Sequence, residues 1–222
     1  MRTEIYRVLF EEELFVIVTK ITEISKARSK VYIDYEFAFV LYKGELRLYH
    51  IKEEQEIAEE DYEELMNKVL PKRAKLRSMN LLKNKEYTEN QLRNKLRLGF
   101  YHEKIIEEAI AYVKSYHYID DVRYTAQFIE YNMGMKSKKR MEMDLLKKGI
   151  DRELINSTFE ELQEEDIQEN ELVMIKKLVE KKHFDARIAT NQEKMRLYAF
   201  LYRKGFSSEN IKKVIQTAEY YD

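Results

Sequence analysis

The chain has 222 residues, of which 44% are apolar and 36% charged, with a formal net charge of −1, one Pro, five Gly and no Cys. That length admits one large domain or two small ones, the charged excess demands much solvated surface, and the missing Cys excludes disulfides, thiolate metal sites and cysteine nucleophiles. Scarce helix breakers, with abundant Leu, Lys, Glu and Met, predict a mainly α fold.

Glu4 and the run Glu11-Glu12-Glu13 interrupt any apolar signal segment between Met1 and Leu14. No window approaches the roughly 18 consecutive apolar residues of a membrane span, so a cytoplasmic protein with no membrane partner is expected. Charge is uneven along the chain. Residues 1–70 hold 10 Lys/Arg and 16 Asp/Glu (−6), residues 71–158 hold 19 and 12 (+7), and residues 159–222 hold 11 and 13 (−2). A basic middle between acidic ends suits a polyanion or an acidic protein groove.

In chain order, β-branched and aromatic residues crowd Leu14 to Ile21 and Val31 to Tyr42, a strand composition. Ile33, Tyr35, Phe37 and Phe39 share one parity against Asp34, Glu36 and Ala38, the alternation of a half-buried strand or hairpin. Lys43-Gly44 then predicts a turn into a third strand over Glu45 to Ile51, where Leu46 and Leu48 alternate with polar neighbours. The expected front module is a small antiparallel sheet spanning 1–52.

From Glu53 the period becomes helical, with Tyr62, Leu65, Met66 and Val69 as a spine. Pro71 is expected to punctuate before a second helix running to about Lys83. Aligning Gly99, Gly149 and Gly205 exposes an internal repeat: one residue on lie Phe100, Ile150 and Phe206; four on, Glu103, Glu153 and Glu209; six on, Ile105, Ile155 and Ile211. Each Gly is read as the left-handed residue that closes a helix. Asp151 and Ser207 are read as N-caps of the next helix, with Tyr101 a poorer one. Thr88 with Gln91 predicts a capping box, Ser137 another cap, and Asp120-Asp121 a cap with a first-turn charge. Adding the preceding helical stretches gives three-helix units at 53–116 (with a linking helix), 117–162 and 163–222, stacked as an elongated curved array.

No catalytic constellation emerges. His50, His102, His117 and His183 lie far apart without metal-ligand spacing, and no glycine cradle for phosphate or nucleophile elbow occurs. No cofactor and no metal are expected. The acidic runs Glu53 to Glu64 and Glu160 to Glu171 read as solvated helix faces. Binding candidates are the cations. Lys136, Lys138, Lys139 and Arg140 crowd the start of a helix, a place unfavourable for cations unless an anion lies near. Arg93, Lys95 and Arg97, with Lys72, Arg73, Lys75 and Arg77, suggest a continuous stripe. Arg123, Lys147 and Lys148 complete the set. Tyr112, Tyr116, Tyr118, Tyr124 and Tyr131 invite base stacking, but helical spacing explains Tyr124, Phe128 and Tyr131 as packing.

The stretch Thr88-Glu89, Gln91-Leu92-Arg93-Asn94-Lys95-Leu96, Gly99-Phe100 and Ile119-Asp120-Asp121-Val122-Arg123-Tyr124-Thr125-Ala126 resembles the RecX family. Leu145-Leu146-Lys147-Lys148-Gly149-Ile150 resembles the second repeat of that family. The front module, with Val18-Thr19-Lys20-Ile21, is similar to the N-terminal extension of members from low-GC Gram-positive bacteria, except that their Asp-Gly-Glu turn is Asp34-Tyr35-Glu36 here. The resemblance implies tandem three-helix repeats and a non-enzymatic monomer that binds RecA and the RecA–ssDNA filament, inhibiting or disassembling it. DNA contact would be weak and independent of sequence, through the cations named above. A helix-turn-helix transcription regulator is the rival reading, and it requires sequence-specific duplex binding.

Overall fold

In the computed structural model, residues 16–162 and 164–217 are described. Leu14 and Phe15, which open the first predicted strand, lie outside the described residues, as does the Met1 to Leu14 stretch. The chain divides into two units, Met1–Lys85 with Leu92–Tyr118 and Glu86–Gln91 with Ile119–Asp222.

The first unit starts with an antiparallel sheet of order β3-β2-β1-β4, from β1 (Val16–Ser25), β2 (Arg28–Ile33), β3 (Glu36–Tyr42) and β4 (Gln55–Ile57). The run Val31 to Tyr42 is thus a hairpin. Its turn residues Asp34 and Tyr35 are both left-handed, at φ 50° and 66°, the backbone of a two-residue hairpin loop without the usual glycine. Thr19 Oγ1 holds this turn by accepting from the Tyr35 amide at 2.9 Å. Tyr35 is 88% exposed, so the even alternation read across it does not exist. The buried set is Val18, Val31, Phe39, Val40 and Leu41 instead.

The predicted third strand, Glu45 to Ile51, is a helix, α1 (Lys43–Leu48). The Glu45 carboxylate turns back to accept from the Tyr42 amide at 2.7 Å, which fixes a helical first turn. Leu48 is left 68% exposed. The missing strand is β4, inside the segment read as helical from Glu53.

Next, α2 (Glu59–Glu64), a π-turn (Leu65–Val69) and α3 (Leu70–Asn84) run as one helix through Pro71. Pro71 does not punctuate. Its missing N–H and its ring would disrupt an α-ladder, and the wider π-turn immediately before it, closed by Leu70 N–H to Leu65 O, accommodates the residue. Then α3 packs on α5 (Glu103–Ser115), with Ala74 buried on the first and Ile105, Ile106 and Ala109 on the second; α4 (Glu89–Arg97) adds Leu92 and Leu96.

The second unit holds two three-helix sets, each with its own core. Helices α6 (Asp121–Asn132), α7 (Lys138–Lys147) and α8 (Arg152–Glu161) bury Ile129, Met141, Leu145, Ile150, Ile155 and Phe159 together with Ile167. Helices α9 (Glu164–Lys181), α10 (Asn191–Arg203) and α11 (Ser208–Thr217) bury Ile175, Val179, Leu197, Leu201, Phe206 and Ile211. Each fully buried Leu or Ile contributes about 1.5–3 kcal/mol.

The expected caps form. Thr88 and Gln91 exchange hydrogen bonds of 3.2 and 3.3 Å, while Asp120, Ser137, Asp151 and Ser207 accept from the first turns of α6, α7, α8 and α11. Two of these caps also interlock successive helices. Thr88 Oγ1 donates to Lys148 O at 2.6 Å, and Ser137 Oγ to Lys204 O at 2.9 Å. Glu89 N donates to Asp121 Oδ1 at 2.9 Å, and Lys138 N to Glu171 Oε1 at 2.7 Å. One device is therefore used twice: the start of a middle helix grips the end of the next middle helix and the carboxylate of an intervening one.

The glycine alignment shifts by one residue in the first copy. Gly149 and Gly205 are left-handed, at φ 81° and 92°, but the first copy's left-handed residue is Phe100, at φ 65°. Its N-cap is His102 rather than Tyr101, so Tyr101 corresponds to Ile150 and Phe206, and Ile106 to Ile155 and Ile211.

Candidate functional site

In the first unit most of the named cations already face carboxylates. Arg93 forms a forked pair with Glu107 at 2.5 and 2.9 Å, and Arg97 one with Glu103 at 2.6 and 3.0 Å. The Arg97 hydrogen bond holds the Glu103 carboxyl below its ordinary pKa. Lys75 lies 3.8 Å from Glu108 and over the Tyr112 ring. Arg73 pairs with Glu45 and donates to Val40 O at 2.9 Å. Lys75 of α3 and Arg93 and Arg97 of α4 thus meet a row of glutamates on α5, while Arg73 is held by α1. Lys72, Arg77 and Lys95 are exposed.

The second unit is different. A cleft of about 480 Å³ is lined by Lys136, Arg140, Lys177, Arg203 and Lys204, with Gly134, Ser137, Met174 and Phe206 between them. No carboxylate lines it. Behind it Asp144 accepts from Lys136 at 3.0 Å and sits 3.4 Å from Arg140, one acid for two bases. Burial works to raise the Asp144 carboxyl, but the Lys136 hydrogen bond and the charges of Lys136, Arg140 and Lys147 outweigh it and leave the pKa lowered.

The anion expected at the basic start of α7 is internal. Glu171, 6% exposed, accepts from Lys138 N and from Asn210 Nδ2 at 3.0 Å. An external anion would therefore be held by the side chains of the cleft. Lys138 lies over Phe159, Lys139 over Tyr202, and Lys148 over Tyr124 and Phe128, contacts in which the ring face attracts the ammonium group. Arg123, Lys139 and Lys147 are exposed.

Residues 169–215 match the family description "RecX, third three-helix domain", and residues 120–158 match "RecX, second three-helix domain". A "Regulatory protein RecX" from Caldanaerobacter subterraneus subsp. tengcongensis is 33% identical over 201 residues, covering 90% of this chain and 98% of the relative. The chain belongs to the RecX family. Another RecX, from Clostridioides difficile, is 28% identical over 214 residues, 93% of this chain and 97% of that one. A crystal structure of regulatory protein RecX shares the fold with TM-score 0.60 at 20% identity, covering 91% of this chain and 99% of its own. RecX from Lactobacillus salivarius gives 0.59 at 22% identity over 69% and 99%.

Within this RecX-family chain, sequence reasoning missed Lys177, Arg203 and Lys204. They lie in the block of net charge −2, and only the packing of α9 and α10 beside α7 brings them to Lys136 and Arg140. A signal was available in the aligned repeats, since Lys147-Lys148 and Arg203-Lys204 occupy matching positions before Gly149 and Gly205. The tyrosines also differ from expectation. Tyr131 is 77% exposed and does not pack as its spacing suggested; Tyr112, Tyr116 and Tyr118 form an exposed cluster with ring centroids 5.0 and 5.8 Å apart. Among the described residues no helix is long and apolar enough to cross a membrane.

Proposed function

We propose that this RecX-family chain is a non-enzymatic, cytoplasmic regulator of homologous recombination and the SOS response, a monomer that binds RecA and the RecA–ssDNA filament and inhibits or disassembles it. Family membership supports the class of activity. The observation that carries the contact is the cleft of five cations, of which Lys136 and Arg140 share Asp144 and the other three meet no carboxylate among the described residues. A groove of that kind binds phosphates or acidic protein surface by charge, with little dependence on base sequence. Lys138, Lys139, Arg123, Lys147 and Lys148 extend the positive surface. In the first unit Lys72, Arg77 and Lys95 are the exposed cations, while Arg73, Lys75, Arg93 and Arg97 must exchange a glutamate to take part.

The test adds the protein to RecA on single-stranded DNA and follows ATP hydrolysis and filament length. Hydrolysis falls and filaments shorten at stoichiometric amounts; no effect sinks the proposal. Reversing Lys138, Lys139 and Arg140 to Glu weakens inhibition without unfolding the chain. A transcription regulator would instead discriminate between duplex sequences, which direct binding across salt concentrations separates.

A further inference from the structure

The first unit holds another cleft, of about 400 Å³, from which the RecA reading takes only the cations Arg73 and Arg77. Arg28 on β2 and Tyr42 at the end of β3 line one side, and Tyr101, in the turn after α4, lines it too. Along α3 run Arg73, Arg77, Asn80 and Asn84, spaced four, three and four residues apart and so on one helix face. Phe39 and Ile105 close the apolar floor. A polar row bordering the sheet core contributes little to packing, so it calls for another explanation.

Three guanidiniums line this cleft and no carboxylate does. Arg73 is committed to Glu45 and Val40 O and lies 5.0 Å from the Tyr42 ring centre. Among the described residues, Arg28 and Arg77 face no carboxylate partner and the Tyr101 hydroxyl has no hydrogen bond. Burial, opposed by Arg73, Arg77 and Arg28, raises the Tyr101 phenol pKa, so at neutral pH it is an uncharged O–H donor. Asn84 donates to Asn80 O at 3.0 Å, leaving its own carbonyl oxygen and the whole Asn80 carboxamide to a ligand.

Forked guanidiniums match phosphate oxygens, carboxamides offer paired donor and acceptor to a base edge, and the Tyr42 ring, 44% exposed, offers a stacking face. The volume falls within the roughly 300–1,000 Å³ of small-molecule sites. We propose that this cleft binds a nucleoside monophosphate unit, free or as one nucleotide of a single strand, with its phosphate on Arg28 and Arg77 and its base against Tyr42, Asn80 and Asn84. An acidic peptide would satisfy the guanidiniums but leave the carboxamides and the aromatic rim unused. The assignment stands whether or not the chain acts on RecA.

The full chain is photocrosslinked to a short thymidine oligomer carrying 5-iodouracil, and adducts are mapped by peptide mass spectrometry. Adducts fall on the peptides of Tyr42 or Tyr101, and the double variant R28Q/R77Q lowers their yield about tenfold or more. Tyr101→Phe, which keeps the ring and the packing, lowers it severalfold, while K52Q/K212Q, at two exposed cations outside both clefts, leaves it unchanged. Thymidine monophosphate competes if free nucleotide is a source; if only the oligomer competes, the strand is. Adducts confined to other peptides, or an undiminished yield in R28Q/R77Q, overturn the proposal. So does displacement of the oligomer by a Glu-rich peptide at lower concentration than by thymidine monophosphate. No readout involves RecA, so the two readings fail separately.

Discussion

The helix-turn-helix corner occurs once in the first unit and twice in the second, and the three corners share a hydrogen-bond pattern but not a glycine position. In the second unit Ile150 N donates to Leu145 O and Phe206 N to Leu201 O; in the first, Tyr101 N donates to Leu96 O. All three accepting residues are buried leucines. The left-handed residue before each donor is Gly149, Gly205 and Phe100. Phe100 is held there by the edge of Phe37, at 6.1 Å, and by Lys30 over its face, at 4.2 Å. The corner is therefore built by the anchoring leucine and the ring of hydrogen bonds, and glycine enters where space forbids a side chain.

That comparison breaks first at Gly149. A Cβ there would fall within the Asn90 side chain, on a backbone already left-handed. Left-handed strain of about 1–2 kcal/mol adds to overpacking of about 1–3, so Gly149→Ala loses roughly 3 kcal/mol or more in urea unfolding. Gly205→Ala follows, its Cβ 2.6 Å from Ser137 Oγ. Gly99→Ala costs less, since its φ is ordinary and its nearest obstacle is the Tyr101 ring at 2.9 Å. Equal losses at the three glycines would refute the one-residue shift.

The interlock gives the next largest effect. Thr88→Val and Ser137→Ala each leave a C-terminal helix carbonyl, Lys148 O or Lys204 O, without its donor and remove a helix cap, at about 1–2 kcal/mol apiece. Asp151→Ala removes a cap that grips no other helix, so it should cost no more than about 1 kcal/mol. Chemical denaturation of the three variants ranks them.

Much of this was legible. The caps at Thr88, Asp120, Ser137 and Asp151 could be read because a short polar side chain before an apolar period acts locally. The buried Ile155 and Ile211 follow from the aligned repeat. The sheet misled where a local choice was overruled: Glu45 reaching back to Tyr42 turned an alternating segment into a helix, and the π-turn absorbed a proline that reads as a stop. The repeat was visible, but anchoring it on glycine displaced the first copy, because packing rather than residue type holds Phe100. Of the cleft, Lys136 and Arg140 could be named from the sequence. Lys177, Arg203 and Lys204 could not, since their proximity is a property of how three helices pack.

The units also differ in how cations are balanced, and binding sharpens this. Lys177→Gln and Lys204→Gln should each lower the slope of log affinity for single-stranded DNA against log salt by about 1. Arg97→Gln, whose charge Glu103 already answers, should leave the slope nearly unchanged. A slope that falls equally for all three would erase the distinction between paired and converging cations.

The smallest effect comes from Asp144, where stability and binding move in opposite directions. Its folded pKa is depressed, so its contribution is present above the unfolded aspartate value of about 3.9 and is lost as the pH falls through the lower folded value. Lys136 and Arg140 are half-open to solvent, which limits the contribution to under about 1 kcal/mol. Asp144→Asn should therefore be slightly less stable at neutral pH, and its stability should fall less than that of the wild type on acidification through that window. The same substitution leaves two cleft cations without their acid, so DNA affinity rises and its salt dependence steepens. If affinity fell with stability, Asp144 would be positioning the cleft rather than neutralising it, and the contrast with the paired arginines of the first unit would lose its electrostatic basis.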